Sequence, residues 1–282
     1  MTDSLAGRFE AERPRLRALA RRMLGSAAEA EDAVQESWLR LAASGQDRAV
    51  DNLAAWLTTV VSRICLDVLR ARRELPGPVA DRGVDGPEDE VAMADEVGRA
   101  LLVVLARLAP AERVAFVLHD LFAVPFDAIG PILGRTPATA KKLASRARLR
   151  VRGAPAQPAP GLARDRRIVA AFRDAARGGD LTTLLTLLAP DVVRHADPAA
   201  LPPGAATLLR GADAVARGTR AFADRAARAE LALVDGSPGL VLAPAGRLVG
   251  VLKVTVSAGR IAAYEVIAAP DRLAAVELAV LP

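Results

Sequence analysis

The chain has 282 residues, 52% of them hydrophobic and 3% aromatic, with 38 Lys or Arg against 33 Asp or Glu for a net charge of +5. That length holds two or three small domains, each apolar enough to bury a core. One cysteine, Cys65, excludes an internal disulfide, two separated histidines give a zinc site no support, and the lack of any run of eighteen apolar residues predicts a cytoplasmic protein without a membrane span.

Residues 1–73 read as helical throughout. Leu16, Leu19, Ala20, Met23 and Leu24 form one apolar stripe, and Ala33, Val34, Trp38, Leu39 and Leu41 a second. Trp56, Leu57, Val60, Ile64, Leu66 and Leu69 form a third, with Gly25-Ser26 and Ser44-Gly45 as punctuation. Charge then changes abruptly. Residues 1–73 carry twelve basic and ten acidic side chains, 74–98 one and eight, and 99–152 ten and three. An acidic, Pro- and Gly-containing linker over 74–98 thus separates two helical modules, the second strongly cationic.

In that second module, helices are expected over 101–108 and 111–120, the latter started by Pro110. A helix–turn–helix follows. A short apolar segment with Ile129, Ile132 and Leu133 runs into Gly134-Arg135-Thr136, where Thr136 is the expected N-cap of the next helix and Pro137 its first residue, with Thr139 in the first turn. Ala140, Leu143, Ala147 and Val151 should face inward, and Lys141, Lys142, Ser145, Arg146, Arg148 and Arg152 outward. Seven Lys or Arg and no acid lie between Arg135 and Arg152. A capped, two-faced helix with a purely cationic outer side suits a DNA major groove. Pro131, inside the first helix of the motif, should distort it without abolishing it.

A Pro/Ala linker over 153–163 leads to a third region, 164–282, of different texture. Helices are expected over 168–177, 181–188 and 212–228, and strands over 191–195, 231–234, 240–242, 247–256 and 261–267. Helices followed by a meander predict an α+β domain with a curved antiparallel sheet. His195 and Asp197 follow a strand and are the candidate pocket pair, either an acid/base constellation or an ordinary strand end.

Two separated motifs carry a family resemblance. Asp32-Ala-Val-Gln-Glu-Ser-Trp-Leu39 followed by Ala55-Trp-Leu-Thr-Thr-Val-Val-Ser-Arg-Ile-Cys-Leu-Asp67 resembles the polymerase-binding and promoter-melting segments of extracytoplasmic-function (ECF, group IV) sigma-70-type sigma factors. Leu108-Ala-Pro-Ala-Glu-Arg-Val-Ala-Phe-Val-Leu-His-Asp120 through Leu143-Ala-Ser-Arg-Ala-Arg148 resembles their promoter-reading region. The wording from Arg113 to Phe126 is similar to the sigma-J-like subgroup, and the C-terminal region resembles the SnoaL/NTF2-like fold which that subgroup appends. The tail departs from the subgroup's pattern. A glycine-rich segment is replaced by Asp197-Pro-Ala-Ala-Leu-Pro-Pro-Gly204, and an Asn-Pro-Asp-Lys motif survives only as Ala269-Pro-Asp-Arg272.

The resemblance implies roles. Residues 1–73 would be sigma region 2, 99–152 region 4, and 164–282 a regulatory domain standing in for a separate anti-sigma factor. Asp32, Gln35, Glu36 and Trp38 would dock on the β′ clamp of core RNA polymerase, with the β flap as the second contact. The loop 44–52 and the helix 56–73 would receive the −10 element, with Arg63 and Asp67 as the pocket for an extruded base and Arg70, Arg72 and Arg73 holding phosphate, and Trp56 is either core or a stacking platform. At the −35 element, Lys141, Lys142, Ser145 and Arg146 would read bases with Thr139 beside them, while Arg135, Arg148, Arg150 and Arg152 neutralise phosphates. No cofactor, metal or enzymatic activity is expected, and a small-molecule ligand of the tail is unspecified. The free protein is expected to hold its DNA-binding units against the appended domain. Two other readings stay open: a one-component DNA-binding regulator that senses a metabolite, and an enzyme acting through His195 and Asp197.

Overall fold

The computed structural model describes residues 5–43, 52–74, 96–152, 161–220, 222–244 and 248–281, side chains at 73–74 and 96–99 excepted. Residues 44–51 of the expected −10 loop, most of both linkers and the Arg73 side chain lie outside the described residues. The described residues form two compact units, one drawn from Met1–Ala92 and Leu105–Arg148, the other from Met93–Val104 and Leu149–Pro282.

The first unit is all-α. Helices α1 (Leu5–Leu24), α2 (Ala27–Ala43) and α3 (Leu53–Glu74) bury the predicted stripes: Leu16, Leu19, Ala20 and Met23 on α1, Ala33, Val34 and Leu41 on α2, and Leu57, Ile64, Leu66 and Leu69 on α3. Local chemistry sets the ends. Gly25, at φ +79°, closes α1, the Ser26 hydroxyl accepts from the Glu29 N–H at 3.4 Å, and Asn52 Oδ1 accepts from Ala55 N–H at 3.0 Å. Cys65 is fully buried, and that burial pushes its thiol up to about 12, so it is a core residue. Leu39 departs from the expected stripe: it is 55% exposed.

Helix α4 (Glu96–Ala106) precedes α5 (Pro110–Phe116), which runs on as a wider helical turn over Val117–Leu121. Helices α6 (Phe126–Leu133) and α7 (Pro137–Arg152) complete the motif. Helix α4 up to Val104 and α7 from Leu149 belong to the second unit, while the first helical module and Leu105–Arg148 of the second module share the first unit, with α3 against α5 and α6. Their joint is polar and specific. Arg113, 4% exposed, donates from Nε to the Leu105 carbonyl and from Nη1 to the Met23 carbonyl, each at 2.6 Å. Burial, with Arg72 nearby, pushes its pKa down to about 10. Arg22 lies over the Phe122 ring at 5.7 Å, a cation–π contact between the modules.

The second unit is α+β. Helices α8 (Leu162–Gly178), α9 (Leu181–Leu187), α10 (Ala212–Arg220) and α11 (Ala223–Ala227) accompany a seven-stranded sheet. The strands are β1 (Leu188–Ala196), β2 (Leu208–Arg210), β3 (Ala229–Val234), β4 (Ser237–Leu242), β5 (Gly250–Ser257), β6 (Arg260–Ile267) and β7 (Leu278–Ala279), in the order β2-β1-β6-β5-β4-β3-β7. The short helix α12 (Pro270–Ala275) precedes β7. Five of the six pairings are antiparallel as expected; β1 and β6 run parallel. Asp235-Gly236 and Ala258-Gly259 are two-residue hairpin loops with positive φ at both positions, the geometry that matches strand twist. The helix expected over 212–228 is two helices, α10 and α11. Phe172, Leu184, Leu188, Val192, Val215 and Ile261 centre the core.

Candidate polymerase and promoter interfaces and the C-terminal cavity

Not all acids of α2 are available to a partner. Glu31 is ion-paired with Arg13 at 2.5 Å and Arg17 at 2.8 Å, and Glu29 with Arg72. Asp32 and Gln35 are exposed, and among the described residues neither has a hydrogen-bond or ion-pair partner. Glu36 holds Arg40 at 2.9 Å across one turn, and Trp38 is half-buried against Phe9, ring centroids 4.9 Å apart. Asp32, Gln35, Glu36 and Leu39 fall at i, i+3, i+4 and i+7, one helix face. An exposed leucine beside acids is what an interface with a partner helix presents, and the same spacing counted from Asp32 would have found it in the sequence.

On α3, the guanidinium of Arg63 donates from Nη2 to the Pro131 carbonyl of α6 at 3.2 Å. Asp67 is exposed one turn on, and Arg70 sits 3.7 Å from it. Arg72 turns inward: it pairs with Glu29 and donates to the Leu24 carbonyl at 3.0 Å, and its burial lowers its pKa. Trp56 is half-buried, between the two alternatives for it. Arg63 and Asp67 are both on the exposed side of the helix, as a pocket pair requires, but Arg63 is engaged by the other module.

The helix–turn–helix is built by backbone chemistry legible in its sequence. Gly134, at φ +64°, ends α6, and Arg135 N–H reaches back to the Gly130 carbonyl at 2.9 Å, the six-to-one bond of a Schellman motif. A Cβ on Gly130 would lie 2.8 Å from the Arg135 carbonyl oxygen, so the turn folds onto this position only because it has no side chain. Thr136 Oγ1 then accepts from Thr139 N–H at 3.2 Å and caps α7, with Pro137 first in the helix. Pro131 is accommodated: α6 continues to Leu133.

On α7 the buried stripe is Ala140, Ala144, Ala147 and Val151; Leu143, expected inside, is half-buried at its flank. Lys141, Lys142 and Arg146 are exposed along the first half of the helix, Ser145 is half-buried between them, and Arg135 is exposed in the turn. Among the described residues none of these four cations holds an ion pair. Arg148 differs: its Nε donates to Asp120 at 2.7 Å, and this hydrogen bond raises its pKa. Arg150 and Arg152 are exposed further along.

In the second unit a cavity of about 300 Å³ is lined by nineteen residues, among them Phe172, Arg194, Thr219, Arg225, Leu240 and Tyr264. Thr219 Oγ1 and Tyr264 Oη are 2.7 Å apart, and the Phe172 and Tyr264 rings meet at 5.4 Å. Burial raises the Tyr264 pKa, with the Thr219 hydrogen bond and the charge of Arg194 acting against it. Neither His195 nor Asp197 lines this space. Along β1 alternate residues face opposite sides, so Arg194 and Ala196 are buried and His195 is exposed. The expected pocket pair is corrected by one strand position: the cavity takes Arg194.

Asp197 instead fastens backbone. Its Oδ2 accepts from Ala268 and Ala269 N–H at 2.9 and 3.0 Å, and its Oδ1 pairs with Arg272, which also reaches Glu265 at 2.7 Å. Burial alone would raise this carboxyl; the donors at Ala269, Ala268 and Arg272 outweigh it and hold it below the ordinary 3.8. The two segments whose motifs depart from the sigma-J-like pattern, around Asp197 and Ala269–Arg272, are thereby joined.

These two helical modules match known families in order: residues 8–74 match Sigma-70 region 2, and residues 98–151 match Sigma-70, region 4. The chain is 40% identical to the ECF RNA polymerase sigma factor SigJ of Mycobacterium tuberculosis, over 94% of this chain and 91% of that one. It is 35% identical to the probable ECF RNA polymerase sigma factor SigI of the same organism, over 96% and 95%. The crystal structure of M. tuberculosis SigJ aligns over 95% of this chain and 98% of its own, at 34% identity and a TM-score of 0.47. The chain belongs to the ECF sigma factors of the sigma-70 family. Among the described residues no helix is long and apolar enough to cross a membrane.

Proposed function

We propose that this protein is a cytoplasmic alternative sigma factor that binds core RNA polymerase and directs initiation at its own class of promoters. The face of Asp32, Gln35, Glu36 and Leu39 docks on the β′ clamp, where surface acids and one apolar anchor suit a basic partner helix. Region 4 is the module that meets the β flap. On α3, Arg63, Asp67 and Arg70 receive the −10 element, with Trp56 and Arg73 further contributors from the same helix. Arg63 leaves the Pro131 carbonyl to do so. On α7, Lys141, Lys142, Ser145 and Arg146 read the −35 element, Thr139 lies at the helix start, and Arg135 and Arg152 neutralise phosphates. Arg72, held by Glu29 and Leu24, supports the fold of region 2 more than it holds DNA. The C-terminal unit regulates this activity in place of a separate anti-sigma factor.

The observation that supports this reading above all is the capped α7, whose exposed Lys141, Lys142 and Arg146 hold no ion pair among the described residues, in a chain that carries both sigma regions in order. Run-off transcription with purified core polymerase tests it. Promoter-dependent transcripts are expected with the full chain and none with core alone. A chain that neither co-migrates with core polymerase nor yields a transcript contradicts the proposal. Truncation near residue 155 is expected to change the yield, and an unchanged yield would remove the regulatory role.

A further inference from the structure

The cavity of the second unit holds a charge that no ion pair among the described residues neutralises. Arg194 is 3% exposed on β1, inside the unit and among the cavity's lining residues. Its Nη2 donates to the Ala206 carbonyl, while its Nε is buried without a partner. Arg113 shows what a structural buried arginine looks like in this chain: both Nε and Nη1 are spent on carbonyls. Arg194 lacks that completion. The lining contains a second cation, Arg225, and two hydroxyls, Thr219 and Tyr264, but no carboxylate. Arg225 is exposed and already engaged, donating to the Ala200 carbonyl and lying over Phe222 at 5.4 Å. The rest of the wall is aliphatic or aromatic.

A buried guanidinium with an unused Nε donor and no ion-pair partner among the described residues is costly, and a site of this chemistry gains most from a ligand that brings the missing anion. The wall fixes the remainder of the ligand. About 300 Å³ of mainly apolar space is the lower end of the size range for small-molecule sites, and suits a medium alkyl chain or a ring system. One buried arginine, with no lysine beside it in the lining, matches a single negative charge in the flat geometry of a carboxylate. We propose that this cavity binds a small apolar monocarboxylate whose anion pairs with Arg194, with the Thr219–Tyr264 hydroxyl pair beside it. The site is independent of the transcription reading, because it requires neither polymerase nor DNA.

Tyr264 is the only tyrosine in the chain, so it reports on the cavity without ambiguity. The full-length protein, isotope-labelled on tyrosine, would be titrated with decanoate, 1-decanol and acetate while the single ring resonance is followed by NMR. Decanoate is expected to shift it saturably and at least tenfold more tightly than decanol, the worth of one charge-assisted hydrogen bond, and acetate to leave it unmoved. In Arg194→Met, decanoate should fall to the affinity of decanol while decanol is unchanged. If decanoate and decanol bind wild type equally, or decanoate leaves Tyr264 unmoved, the proposal is overturned. Arg194→Met binding decanoate as wild type does would overturn it equally. Should that variant fail to fold, the decanoate and decanol comparison in wild type decides alone.

Discussion

Helices α3 and α7 are both rich in arginine, yet they hold their cations in opposite ways. On α3, Arg63 is bound to Pro131, Arg70 lies near Asp67 and Arg72 is locked to Glu29 and Leu24. On α7, Lys141, Lys142 and Arg146 stand exposed and unpaired among the described residues. A count of basic residues cannot separate the two. The difference arises because α3 lies between modules, where backbone carbonyls and carboxylates converge, whereas Lys141, Lys142 and Arg146 on α7 meet no acid among the described residues. On the roles proposed for them, α7 is ready to read the −35 element as it stands, whereas α3 must first exchange a protein partner for DNA, at a cost repaid only when a promoter is present.

The joint that keeps α3 occupied is the place to break this contrast. Arg113→Ala removes the donors of two buried carbonyls, Met23 and Leu105, and should cost on the order of 3–4 kcal/mol. Urea denaturation of the full chain measures it, and a loss below about 1 kcal/mol would show that the joint is not held this way. Gly130→Ala acts on α7 through its turn. The added methyl meets the Arg135 carbonyl at 2.8 Å, so the turn must shift, costing about 2 kcal/mol. It should also weaken −35-dependent initiation, since α7 is re-aimed while its cations are intact. Wild-type stability and initiation together would contradict the close approach.

A smaller effect sharpens the comparison in the second unit, where the polar contacts of Asp197 are wholly internal. Its carboxyl is lowered in the folded state, so its contribution is present above the ordinary 3.8 and fades as pH falls through the lower folded value. Asp197→Asn should remove about 1–2 kcal/mol at neutral pH and flatten the acid limb of that unit's stability below 3.8. An unaltered acid limb would mean that other carboxyls dominate it.

What the sequence made legible is what short-range chemistry decides. Thr136-Pro137 and Gly134 could be recognised because an N-cap oxygen, a proline at the first helical position and a left-handed C-cap act on their own neighbours. The strands between β-turns were legible from alternation for the same reason. Partner and direction were not: that β1 runs parallel to β6 depends on the course of the chain between them, and β2 and β7, at three and two residues, have no period to read. Alternation marks a strand near His195 but not which face turns inward, and a cation ordinarily points outward, so nothing local marks Arg194 as the inward residue. Hydropathy alone places Leu39 in the core, whereas its position on the Asp32 face marks it as surface. Arg72 and Arg113 carry no local sign that their partners are Glu29, Leu24 and Met23, because those lie 43, 48 and 90 residues away.

The division between occupied and available cations is tested most directly by comparing Arg146→Ala with Arg72→Ala in one run-off transcription assay, alongside their thermal unfolding. Arg146→Ala should lower initiation from a −35-dependent promoter by about 1–2 kcal/mol, within the range of one base contact, with an unchanged Tm. Arg72→Ala should lower Tm, and initiation only in proportion to the folded protein that is left. Wild-type initiation by Arg146→Ala, or a selective loss of initiation at unchanged Tm in Arg72→Ala, would contradict the account.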